Sequence, residues 1–183
     1  MIEGASPVAN GVLLLMQVLV VGAALQDTRQ LKISNLFPIG VMACFAVWVA
    51  LIGPRMALWE NLVAFILTLA FGLALFSRRW LGGGDVKLLA AVALWFNLVN
   101  AGHTLFYIAV SGLLLTFVLI MVRRMLPAYR GSWVSLRKRG PIPYGIAIAT
   151  GTVIAMQIGS MSPKPPSPMQ KYQDMGLFVK KQA

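Results

Sequence analysis

Two aspartates carry most of the chemistry open to this sequence. Asp27 stands in LQDTRQLKISN and Asp85 in GGGDVKLLAAV, in a 183-residue chain with only five acidic residues. Of the other three, Glu3 and Asp174 lie near the termini. Glu60 sits beside Trp59 at the edge of an apolar block, where an interfacial polar residue is ordinary. Asp27 closes one apolar block and Asp85 opens another. Two carboxylates brought face to face do not both ionise easily, so one keeps its proton near neutral pH. The ionised partner can take a proton from water and make it a nucleophile. The protonated one can polarise a peptide carbonyl and later protonate the leaving amine. That is peptide-bond hydrolysis with two side chains, and it calls for no metal and no cofactor.

The approach to Asp85 is Gly82-Gly83-Gly84. Glycines let an extended substrate backbone come close and permit positive φ in the turn. They are also common in plain turns between helices. Each acid has a structural alternative as well. Aspartate is a good helix N-cap, so Asp85 could simply start a helix, and Asp27 could pair with Arg29 or Lys32. It is the combination of two acids at matching ends of helices, one behind a glycine run, that points to a site. Cys44 is the single cysteine, so no internal disulfide and no cysteine-based zinc site can form. His103 is the single histidine, expected in a short loop, and gives no support to a zinc protease.

The elements that must position these residues are apolar helices. Hydrophobic residues make up 58% of the chain and charged residues 11%, against about 25% charged in soluble domains. Apolar blocks occur at about 8–25, 36–53, 58–76, 86–101, 104–122 and 143–159, each near the ~20 residues that cross a bilayer as a helix. The expected fold is an all-α integral membrane protein, a bundle of about six transmembrane helices. Residues 1–160 form the membrane domain and 161–183 a Pro-rich tail.

The net charge of +11 is topological. Sorted by loop, eleven basic residues fall in or beside loops one, three and five, and Arg55 alone falls in loop two. The positive-inside rule then puts loops one, three and five in the cytoplasm and both termini outside. Asp27 and Asp85 share the cytoplasmic depth. Charge clustered between apolar blocks, with no recognition motif, excludes nucleic acid as a partner. Membrane lipids are the expected surroundings, with anionic lipid meeting the basic fifth loop. The first block is expected to be retained, since its leader carries Glu3 and no basic residue.

These segments resemble a family. Gly82-Gly83-Gly84-Asp85 fits the GxGD pattern of intramembrane aspartyl proteases, and GGGDVKLLAAV is similar to the version in type IV prepilin peptidases. Asp27 to Asn35 resembles the first-aspartate motif of the short members, with Ser34 where the family has proline. PIPYGIAIATG, Pro141 to Gly151, is similar to the Pro-Phe-Gly motif entering the last helix, with Tyr144 in the Phe position.

The resemblance implies Asp27 and Asp85 as the catalytic pair. It sets Gly82, Gly83, Gly84, Lys87 and Asn35 against the substrate. It implies a prepilin substrate, met through its leader peptide and the adjoining hydrophobic helix and cleaved at the cytoplasmic face of the inner membrane, with pilus-assembly proteins as further partners. Without an N-terminal four-cysteine domain, the chain resembles the short peptidase-only form of tight-adherence (Tad/Flp) pilus systems, and methyltransferase activity is not expected. Three other readings compete. One is a presenilin-like or preflagellin peptidase, since GxGD alone does not separate these. Another is a small proton-coupled transporter using the two acids as relay groups. The third is a non-catalytic assembly factor in which both acids only cap helices.

Overall fold

The computed structural model describes residues 7–52, 58–125 and 142–158, which form helices and the turns between them. In chain order these are α1 (Pro7–Gln30), α2 (Leu36–Ile52), α3 (Leu58–Ser77), α4 (Gly83–Ala93), α5 (Leu98–Met125) and α6 (Tyr144–Gln157). The described residues are thus all-helical, with the expected six helices. α1, α3 and α5, at 24, 20 and 28 residues, are long and apolar enough to cross a membrane. α2 and α6 are shorter apolar helices. α4 has 11 residues and is about 16 Å long at an α-helical rise of about 1.5 Å per residue.

α1, α2, α5 and α6 are apolar on every side, with no amphipathic stripe, the pattern of helices that do not face water. Outward positions carry large apolar groups such as Val18, Leu62, Phe71 and Phe117. The least exposed helix is α4. It packs against α2, α3 and α6, while α1 joins α2 to α6 and α5 joins α3 to α6. From Asp85 to Phe96 only Lys87 is exposed.

Some boundaries differ from the sequence expectation. The break between the fourth and fifth helices was expected near residues 102 and 103 and falls at 94–97. Asn97 causes it: its Oδ1 accepts the Asn100 N–H at 2.8 Å and caps α5. The run LWFNLV is apolar enough to hide that cap. Leu94, Trp95 and Phe96 stay buried in the turn. Asn61 Nδ2 donates to the Leu94 carbonyl at 2.9 Å, and Trp95 Nε1 donates to the Val41 carbonyl at 3.2 Å. His103 therefore lies inside α5, exposed, and not in a loop. The first helix also runs past its expected end, so Asp27 sits within its last turn. Glu3, Arg55, Asp174, the fifth loop (126–141) and the 161–183 tail fall outside the described residues.

Helix crossings rest on small residues. A Cβ at Gly151 would stand 2.5 Å from Ile108 Cα, so α5 and α6 meet backbone to backbone. At Gly102 nothing lies within 4 Å. Gly151→Ala is therefore expected to destabilise the protein by about 1–3 kcal/mol through overpacking. Gly102→Ala should be neutral or stabilising by up to about 1 kcal/mol, since alanine is the better helix former. Thermal unfolding of the purified variants measures both. Equal melting temperatures would show that the crossing yields without cost.

Candidate active site

The site is built where three helix ends meet. Asp27 lies in the last turn of α1, and α4 and α6 start beside it. The turn after α1 is tight: the Leu31 N–H donates to the Asp27 carbonyl at 2.8 Å, and Leu31 itself takes φ 53°. The chain then runs through residues 31–35 into α2. Ser34 is held there by three hydrogen bonds, one of them from the Phe37 N–H to its carbonyl at 3.2 Å. Its N–H donates to Gln26 Oε1 at 2.9 Å, and its Oγ accepts the Leu36 N–H at 3.4 Å. A proline at 34 has no N–H to give Gln26, so the serine replaces a rigid turn with a bonded one.

Asp27 is buried, and its Oδ2 accepts the backbone N–H of Gly145 at 2.9 Å. Gly145 is the second residue of α6, after Pro143 at the N-cap and Tyr144. The carboxylate thus sits on one of the amides that a helix start leaves free, at the positive end of the helix dipole. No other residue type fits at 145. A Cβ there would lie 2.9 Å from Asp27 Cβ, 3.0 Å from Oδ2 and 3.2 Å from Ala24 Cα.

Asp85 is seated in the same way on α4. It is not the N-cap, as one reading of the sequence had it. Gly82 occupies that position, and Asp85 is the third helical residue. Its carboxylate accepts the Gly82 N–H, the reciprocal half of a capping box. Asp85 is buried, and among the described residues its Oδ1 has no hydrogen-bond partner. A buried acceptor left without a donor is costly, and such groups mark places where a partner arrives during function.

Both carboxylates line one cavity of about 590 Å³, close enough for their charges to act on one another. Its other walls come from Leu31, Phe76, Ser77, Arg79, Trp80, Leu81, Gly82, Ile142 and Tyr144. Arg79, held at φ 60°, is the one basic residue among these. Sequence reasoning singled out the two acids and Gly82. It missed the aromatic and aliphatic walls, because Phe76, Trp80 and Leu81 look like any apolar residues of a span end.

The glycine run does not use the positive φ expected of it. Gly82, the helix N-cap, has φ −72°, and the left-handed residues of this region are Leu31 and Arg79. The glycines matter for space. A Cβ on Gly82 would stand 2.7 Å from Asp85 Oδ2, and one on Gly84 would stand 3.0 Å from Ile33 Cβ and 3.1 Å from the Ile33 carbonyl oxygen. Gly84 thereby lets the 31–35 segment lie flat on α4. Gly83 meets only the edge of Phe76, at 3.4 Å. Lys87 and Asn35 are brought together, Nζ donating to Oδ1 at 3.0 Å. This is a second tie between α4 and the same segment, outside the cavity lining.

Comparison with known proteins gives a family match. The sequence model of the type IV leader peptidase family matches residues 13–121, a stretch that contains both aspartates. No curated protein and no solved structure matches the chain.

The bond between Ser34 and Gln26 can be tested by itself. Gln26→Ala is expected to cost about 0.5–1.5 kcal/mol, the worth of one hydrogen bond. In a Ser34→Pro background the same change should cost less, since the Ser34 donor is already gone and only the exposed bond from Gln26 Nε2 to Gln30 Oε1 is left to lose. A double-mutant cycle from unfolding midpoints reads the coupling. Additive losses would show that the bond carries no stability.

Proposed function

The chain belongs to the type IV leader peptidase family, and from that membership we propose that it is a membrane-embedded aspartyl endopeptidase that cuts leader peptides from prepilin substrates. The observation that carries this reading is the convergence of Asp27 and Asp85 on one cavity from helices that are distant in sequence. The pair shares one proton, which belongs to the dyad and not to either residue. Water held between the carboxylates gives a proton to the ionised one, and its oxygen bonds to the scissile carbonyl carbon. The protonated carboxyl donates first to the carbonyl oxygen. The dyad's proton then passes to the nitrogen, the carbon–nitrogen bond breaks and the amine leaves, while a hydroxyl of the tetrahedral intermediate gives its proton to the other carboxylate as the new carboxyl group forms, so the dyad again holds one proton. Asp85 Oδ1, without a partner among the described residues, is the atom best placed to meet the water or the carbonyl. Gly82 lines the cavity and is proposed to face the substrate backbone. Gly83 and Gly84 extend that run. Lys87 and Asn35 act first on the enzyme itself, by tying down the segment that follows Asp27.

Charge and topology support a cytoplasmic site in the inner membrane. Arg29, Arg78, Arg79, Arg123 and Arg124 lie at helix ends on the side of the acids, as the positive-inside rule requires of a cytoplasmic face. The apolar outer faces of α1, α3 and α5 then contact lipid. Acids at helix ends, and not midway along a span, favour a reaction fed from the membrane surface over a transport relay. A Flp-type pilin as substrate completes the proposal.

Co-expression with the prepilin encoded beside it tests the reading, followed by the shift to mature size on a gel. Asp27→Asn and Asp85→Asn should each lower cleavage by at least about 100-fold, the scale of lost acid–base catalysis. Asn still accepts the Gly145 and Gly82 amides, so both variants should accumulate normally. Gly145→Ala should lose activity by at least about tenfold through displacing Asp27 (~1.4 kcal/mol), and Gly83→Ala should stay near wild type. Full processing by both Asn variants would reduce the acids to helix-seating groups and end the peptidase reading.

A further inference from the structure

The turn from α3 into α4 puts an arginine where the backbone favours glycine. The Arg79 N–H donates to the Phe76 carbonyl at 2.8 Å, and the Trp80 N–H donates to the Leu75 carbonyl at 3.0 Å. These are the paired bonds of a Schellman ending, whose left-handed residue is usually glycine. Here that residue is Arg79, at φ 60°, although three glycines stand close by at 82–84. A side chain in this conformation costs stability that glycine does not lose. Positive-inside topology asks only for basic residues in the turn. Arg78 meets that demand without positive φ, its guanidinium 5.8 Å from the centre of the Trp80 ring. Of the described non-glycine residues, Leu31 and Arg79 have positive φ, and both line the acid cavity. Strained backbone gathered around one cavity points to work done there by the side chains it carries.

Arg79 is exposed, so it stands at the rim of the cavity. On another side Leu81 and Tyr144 are shared with a second cavity, about 920 Å³ and almost wholly apolar, between α3, α5 and α6. Peptide hydrolysis on the dyad first leaves a carboxylic acid and an amine. Their pKa values are about 3.5 and about 8, so near neutral pH the acid's proton ends on the amine. The carboxylate is thus formed beside a dyad that already carries one negative charge. Like charge drives it from the acids, and the apolar cavity does not solvate it. Arg79 is the one basic residue among the described residues of the acid cavity. A guanidinium takes a carboxylate through two parallel N–H bonds. We infer that Arg79 receives the new C-terminal carboxylate of the severed leader and draws it from Asp27 and Asp85 to the rim. The inference rests on the peptidase reading and adds to it the group that holds this product. It also accounts for an arginine at a turn position that suits glycine.

Two peptides that differ in one group test this. Both are the leader of the prepilin encoded beside the chain, fluorescently labelled at the N-terminus. One ends at the cut in a free carboxylate and the other in an amide. Binding to the full-length protein is followed by fluorescence anisotropy. Wild type should bind the acid at least about tenfold more tightly than the amide, the scale of a hydrogen bond to a charged group. Arg79→Gly should bring the two within about twofold by weakening the acid alone. Arg79→Lys should keep part of the preference, since it keeps the charge and loses the planar fork. Arg79→Gly should also melt at or above the wild-type temperature, because glycine suits the left-handed turn. Equal binding of both peptides to wild type overturns the inference, and is the result if Arg79 meets a substrate side chain or a lipid phosphate instead. A preference for the acid that survives Arg79→Gly overturns it as well. So does a lower melting temperature with loss of both peptides, which would make Arg79 a structural residue. Failure of wild type to cut the intact prepilin would instead remove the peptidase reading, and the peptide comparison is read independently of cleavage.

Discussion

A carboxylate taken out of water must find donors within the protein, and this requirement organises the structure around the site. Asp27 finds its donor in the Gly145 amide, 118 residues away along the chain, and Asp85 finds one in the Gly82 amide. Both amides are among those that helix starts leave unbonded. The two acids are therefore supported by backbone groups and by the dipoles of α6 and α4. A backbone donor stabilises a carboxylate without neutralising it as an ion pair does. A dyad that must pass a proton back and forth needs that freedom.

The same contact explains much of the packing. For a backbone amide to reach Asp27, α6 must come against α1 with nothing between them, so residue 145 has no room for a side chain. α6 is held from its other side by α5, where Gly151 admits Ile108. α4 is enclosed among α2, α3 and α6, and so is short and almost wholly buried. Its far end is closed by the Asn97 cap and by donors from Asn61 and Trp95 to nearby carbonyls. The acid end is fastened by Ile33 against Gly84 and by Lys87 to Asn35. Steric closeness and hydrogen bonds set the distances among these described residues.

Function follows from what this framework leaves open. One cavity holds the acids with some polar wall from Ser77 and Arg79, and a longer apolar one joins it at Leu81 and Tyr144. The peptidase chemistry is proposed for the first, and Leu81 and Tyr144 make the second continuous with it.

Composition alone determined the class of fold. Apolar blocks of spanning length and basic residues sorted between them indicated a helical bundle, and the rarity of acids made Asp27 and Asp85 stand out. Those are properties of single residues and of local runs, which is why they are legible without a structure. The break at 94–97 was not legible, because a capping asparagine inside LWFNLV is outweighed by its apolar neighbours. Nor was the use of the glycines. Their meaning depends on what lies across from them, Asp85 for Gly82, Ile33 for Gly84 and Asp27 for Gly145, and two of those three partners are distant in the chain. The approach of α6 to α1, the seating of each carboxylate on a helix start, and the joining of the two cavities were decided by tertiary structure. Each is a distance between residues that sequence spacing does not encode.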